Sequence, residues 1–113
     1  ELGNNAQLAA SLGWLLEGRF GEQNIAWFGC LPETLAASAL GEQLAQLLGR
    51  QPQMIGDSER PIQRIGWCSG GAQGYFEQAI ALGLDAYVSG EISEHLAERF
   101  GLECEFVDID NPV

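Results

Sequence analysis

Short apolar runs alternate with helix-spaced leucines along this sequence, which predicts an α/β fold: a largely parallel sheet flanked by helices. Three observations carry that expectation. Strand-like "NIAWFGCL" (24–31) leads into the helical pattern "ETLAASALGEQLAQLLG". Strand-like "IQRIGWC" (62–68) leads into a helix bearing Phe76, Ala79 and Ile80, and "DAYVSGE" then returns as another strand. The length of 113 residues, without repeat, low-complexity tract or linker, predicts one domain over 1–113.

Each element has its own local reason. In "NNAQLAASLGWLLEG", Leu8, Leu12, Leu15 and Leu16 fall on one helical face, with Asn4 or Asn5 as cap and Gly18 past the end. "NIAWFGCL" is compact, aromatic and closed by Pro32, so it reads as a strand. Leu40, Leu44, Leu47 and Leu48 recur at i, i+4, i+7 and i+8 before Gly49, the strongest helical signal in the chain. "QMIGD" (53–57) reads as a short strand and "DSERP" as a polar turn. Gly83 ends the helix that follows "IQRIGWC". A short helix over 92–100 and a last strand in "ECEFVDI" complete the pattern.

Charge narrows the partners. Sixteen Asp and Glu face five Arg, with no Lys, for a net charge of −11. Such a surface repels nucleic-acid backbones and anionic lipid, so neither is expected as a partner. No apolar run approaches the roughly 20 residues of a membrane span. Cys30, Cys68 and Cys104 lie far apart in apolar runs, without a CxxC pair. Buried free thiols in a reducing cytoplasm are the expectation.

The stretch "IGWCSGGAQGYFEQAI" (65–80) places Ser69, Gly70 and Gly71 between a strand and a helix. Ligands gather at the carboxyl ends of strands in open parallel sheets, and Ser89-Gly90-Glu91 ends a second strand. A Walker loop fails because Ala72 and Gln73 stand where Lys and Ser or Thr must reach phosphate and metal. A cysteine-phosphatase loop fails because the next Arg after Cys68 is Arg99. The dinucleotide fingerprint is a closer miss: Ser69, Gly71 and Gly74 occupy its glycine positions, with Glu91 placed for a ribose hydroxyl. The turn therefore reads first as a tight corner, with a nucleotide-binding module as an alternative.

Three segments in order, "ELGNNAQLAASLG", "IGWCSGGAQGYFEQAIALGLDAYVSGEISE" and "FVDIDNPV", resemble the GTP cyclohydrolase I type 2 homologues. This dinuclear-metal-centre family is also named after a yeast interacting factor. The resemblance implies an α/β scaffold assembling as a homo-oligomer, a toroidal hexamer, with divalent metal pairs facing an interior cavity. It also implies a metal-dependent hydrolase acting on a nucleotide-like substrate, GTP being the assigned one. Ser69, Gly70, Gly71, Gln73, Ser89 and Glu91 would then lie at the cavity edge as substrate-binding candidates, with no catalytic residue assigned.

The family's metal ligands are an early His-His pair, an Asp upstream of the "ELGNNA"-like segment and a His-His-x-x-x-Glu motif near the carboxyl end. This chain carries a single histidine, His95, and "GEISE" runs directly into "HLAERF". The expectation is a family member lacking its amino-terminal part and an internal segment, joined near Glu94-His95. No metal is expected in this chain itself. His95 with Glu98, or Asp108 with Asp110, falls short of the three or four donors that a divalent site requires. A structural or oligomerisation module is the remaining alternative.

Overall fold

The computed structural model describes residues 2–21, 24–68, 75–90 and 105–109. The helix predicted over 92–100 and the junction at 94–95 lie outside them. A helix α1 (Leu2–Leu12) opens the chain, followed by strands β1 (Leu15–Phe20) and β2 (Ala26–Ala36). Helix α2 (Ala37–Leu48), strands β3 (Gln53–Ile55) and β4 (Pro61–Cys68), helix α3 (Phe76–Ala81) and strands β5 (Ala86–Ser89) and β6 (Glu105–Asp108) complete it.

Helix α1 both starts and stops earlier than the sequence predicts: it begins at Leu2, which puts Asn4 and Asn5 inside it rather than at its cap, and it ends at Leu12. Gly13 takes a left-handed φ of 74°, and the Trp14 N–H donates to the Ala9 carbonyl at 2.9 Å. That bond, from the second residue past the helix to its last full turn, is the Schellman closure. Leu15 and Leu16 therefore leave the helical stripe and begin β1, where they are 57% and 47% exposed. The helical spacing of these four leucines mixes two elements.

The start of α2 is later than predicted for the same kind of reason. Residues 33–36 continue β2, whose register against β4 is interrupted between Cys30 and Leu35. Pro32, which lacks an N–H to give to a ladder, sits in that interruption. Leu40 and Leu44 are fully buried, while Leu47 faces solvent. The first-turn N–H groups of Ala37 and Ser38 donate to the Arg60 and Ser58 carbonyls, both at 2.9 Å, so a neighbouring turn caps the helix.

The six strands form one sheet in the order β1-β2-β4-β5-β6-β3. The α/β class stands, but the parallel pairings are confined to β4–β5 and β5–β6. The β1–β2, β2–β4 and β3–β6 pairings are antiparallel. Strand–helix alternation predicts parallel neighbours only where a helix carries the chain from one strand to the adjacent one, as α3 does between β4 and β5. β1 ends at Phe20 and β2 begins at Ala26, a separation too short for a parallel crossover, so the two pair antiparallel, and β3 lies at the far edge.

Alternation along the strands divides the core between two faces. Ile65, Trp67, Ala86 and Val88 pack with Leu8, Leu40 and Leu44 beneath α1 and α2. Cys68 and Tyr87 point the other way, to Phe20, Ala26, Leu84 and Ala79 of α3. Trp67, fully buried, lies at the centre of the first face, its ring centroid 5.0 Å from Trp14 and 6.2 Å from Trp27. The Arg19 guanidinium covers Trp27 at 4.8 Å from the ring centroid.

Candidate functional site at the carboxyl edge of the parallel strands

Three residues close the parallel strands in register: Cys68 on β4 pairs with Ser89 on β5, and Ser89 with Asp108 on β6. The row exists because β4 and β5 are parallel neighbours, so the loops after Cys68 and after Ser89 leave from the same edge. Of the residues proposed from sequence, Ser89 is fully buried and the Ile109 N–H donates to its carbonyl at 2.9 Å. Ser69, Gly70, Gly71, Gln73 and Glu91 lie outside the described residues. So do His95, Glu98 and Asp110, and the Asp108 side chain.

The stem of the glycine turn is tightly held. Cys68, 4% exposed, packs with Phe20 and Tyr87, and the Tyr75 ring lies 6.3 Å from that of Phe20. Gly21 donates its N–H to Gln78 Oε1 at 3.2 Å, linking the end of β1 to α3. A thiol enclosed in this way is a packing group. Among the described residues no cluster of three His, Cys, Asp or Glu side chains is disposed to hold a metal ion. The sequence holds one histidine, His95, and it lies outside the described residues.

The amino edge of the same strands is built from polar ties. Asp85 Oδ2 accepts the Gln63 and Arg64 N–H groups, both at 3.0 Å. The Asp85 N–H donates to the Arg64 carbonyl at 2.8 Å, and the Glu105 N–H to the Asp85 carbonyl at 3.0 Å. Arg64 Nη1 donates to the Leu82 carbonyl at 2.9 Å. One short segment thus ties β4, β5 and β6 together.

Glu105, at the start of β6, is 1% exposed. Burial pushes its carboxyl up to about 7 from an ordinary 4.5. The Arg60 charge and the Asp57 backbone N–H oppose the rise, and the Asp57 carboxylate adds to it. No motif in the sequence marks this residue. Its signal is phase: Glu105, Val107 and Ile109 alternate onto one side of the strand, and the other two are core residues.

Comparison with known proteins places this arrangement. A sequence model of Duf34/NIF3 (NGG1p interacting factor 3) matches residues 1–110. A GTP cyclohydrolase 1 type 2 homolog of Neisseria meningitidis serogroup B is 52% identical over 103 residues, covering 88% of this chain and 41% of the relative. The homolog of Vibrio cholerae is 36% identical over 148 aligned residues, covering all of this chain and 59% of its own. An alignment longer than the 113-residue chain means that this relative carries extra residues inside the matched region. A solved structure described as protein ybgI, of unknown function, superposes with a TM-score of 0.82 and 37% identity, over 96% of this chain and 44% of that one. The chain spans about half the length of the relatives it matches. It belongs to the Duf34/NIF3 family of GTP cyclohydrolase 1 type 2 homologues.

Proposed function

We propose that this chain is a scaffold portion of a metal-dependent, hydrolase-like protein, inactive alone, whose carboxyl sheet edge forms one wall of a substrate cleft. The observation that supports the reading most is the register Cys68–Ser89–Asp108, which sends the loops after β4 and β5 out of the same edge. On this reading Ser69, Gly70, Gly71, Gln73 and Glu91 border the cleft, where the nucleotide-like substrate meets them, and the buried Ser89 supports that edge from beneath. The divalent ions belong to the full-length protein, with donors from outside this chain. The full-length protein works as a cytoplasmic homo-oligomer, a hexamer on the family pattern.

Metal analysis of the two forms tests it. The full-length protein should retain divalent transition metal after dialysis, and the 113-residue chain should retain far less than one equivalent. A metal-free full-length protein defeats the hydrolase reading. One equivalent or more held by this chain alone defeats the scaffold reading. Titration of a dinucleotide against Trp67 fluorescence tests the nucleotide-module alternative, since Trp67 directly precedes Cys68 and lies two residues before Ser69. A saturable change would favour that module over the metal-dependent cleft.

A further inference from the structure

At the edge opposite the candidate cleft, the turn at 56–60 closes over a buried acid. Gly56 holds a φ of 137°, a conformation open to glycine, and a Cβ there would run into the Glu105 carboxyl. The next residue, Asp57, gives its backbone N–H to that carboxyl, and Arg60 at the end of the turn places its charge near it. Asp57 and Arg60 are the charged groups acting on Glu105 among the described residues; β5 sets only Ala86 beside it, and the Asp85 carboxylate is turned to the Gln63 and Arg64 amides.

Two further attachments run through the same turn. Before it, β3 joins the sheet by three residue pairs, Gln53, Met54 and Ile55 against Asp108, Val107 and Phe106. Within it, the Ser58 and Arg60 carbonyls receive the Ser38 and Ala37 N–H groups at the start of α2. Whatever loosens the turn loosens the edge strand and uncaps the helix.

We propose that Glu105 is a proton-operated latch: its neutral carboxyl holds the 56–60 turn closed, and loss of the proton favours local opening of β3, the turn and the first turn of α2. The sign follows from linkage. The closed form keeps its proton up to about 7, whereas an opened, hydrated carboxyl releases it near the ordinary 4.5. Between those values the closed form binds more protons, so closure is fully favoured below 4.5 and weakens as the pH rises through 7.

Hydrogen exchange of the 113-residue chain tests the latch at the Ala37, Ser38 and Gln53–Ile55 amides, corrected for intrinsic exchange. Opening should increase on the order of 10²-fold between pH 4.5 and 7.5, while the Ala86–Ser89 amides change much less. Glu105→Gln, a neutral mimic of the protonated acid, should hold the change at the turn and helix start within about threefold. Arg60→Gln removes an attraction for the ionised form and should move the upper end of the transition to higher pH. An equal pH response in Glu105→Gln, an equal response of Ala86–Ser89, a flat wild-type profile or a downward shift in Arg60→Gln would each overturn the proposal.

Discussion

The two ends of the parallel strands are built by different means. At the amino edge, acidic side chains are taken up by the fold: Asp85 binds two backbone amides of β4 and Glu105 is shut beneath the 56–60 turn. At the carboxyl edge, the strand-end residues Cys68 and Ser89 are buried side by side, and the other candidate residues follow them in sequence. The difference shows two ways of closing the ends of a parallel sheet. At one edge polar side chains hold the strands in register, and at the other the strand-end residues Cys68 and Ser89 are buried.

The largest effect should come from breaking the amino edge at its busiest residue. Asp85→Ala removes the acceptor of two charge-assisted bonds and leaves the Gln63 and Arg64 N–H groups to find other partners. A loss of about 3 kcal/mol is expected, since bonds to a charged group contribute roughly 1.5–3 kcal/mol each and part of that is recovered by water. Urea unfolding followed by tryptophan fluorescence measures it. A loss under about 0.5 kcal/mol, the range of ordinary surface substitutions, would remove the contrast between the edges.

A smaller cost is expected at Gly56. Gly56→Ala forces a side chain into a φ of 137° and against the Glu105 carboxyl. Backbone strain of this type costs about 1–3 kcal/mol. The protein should lose about 2 kcal/mol in the same urea assay, and Gly49→Ala is the internal comparison: its φ is also positive, at 74°, but an added Cβ there meets nothing within 4 Å. If both variants lose the same amount, the Glu105 carboxyl is not pressed against the turn.

How far the sequence discloses this contrast depends on the range of the signal. Strands β2, β4, β5 and β6 and helix α2 are legible because their apolar residues repeat locally: Leu40 and Leu44 on α2, Trp67 on β4 and Val88 on β5 are all buried. The boundary between α1 and β1 is not legible from spacing, because Leu15 and Leu16 continue the stripe of Leu8 and Leu12 by accident; only Gly13 marks the stop. Strand order is a long-range property, and no local pattern shows β3 crossing to pair with β6. At the site, the strand–turn–helix around Ser69 is visible as a motif, and the structure adds the alignment of Cys68, Ser89 and Asp108. Glu105 escaped because acids are read as solvated until their phase on a strand is checked against apolar neighbours.

The smallest effect should fall on the carboxyl edge. Ser89→Ala deletes one hydroxyl in a fully buried position and keeps the backbone bond from the Ile109 N–H, which goes to the carbonyl. Only the hydroxyl oxygen is lost, so the gap left is smaller than a water molecule, and the net contribution of one neutral hydrogen bond is about 1 kcal/mol. A loss near that value, a third of the Asp85→Ala effect, is the expected result by urea unfolding. The same variant carries the functional half of the contrast: in the full-length protein it should alter ligand affinity more than Asp85→Asn does, once both are measured under conditions where each is folded. A Ser89→Ala loss as large as that of Asp85→Ala, with no change in binding, would make the carboxyl edge a structural clamp like its opposite, and the asymmetry between the two ends would disappear.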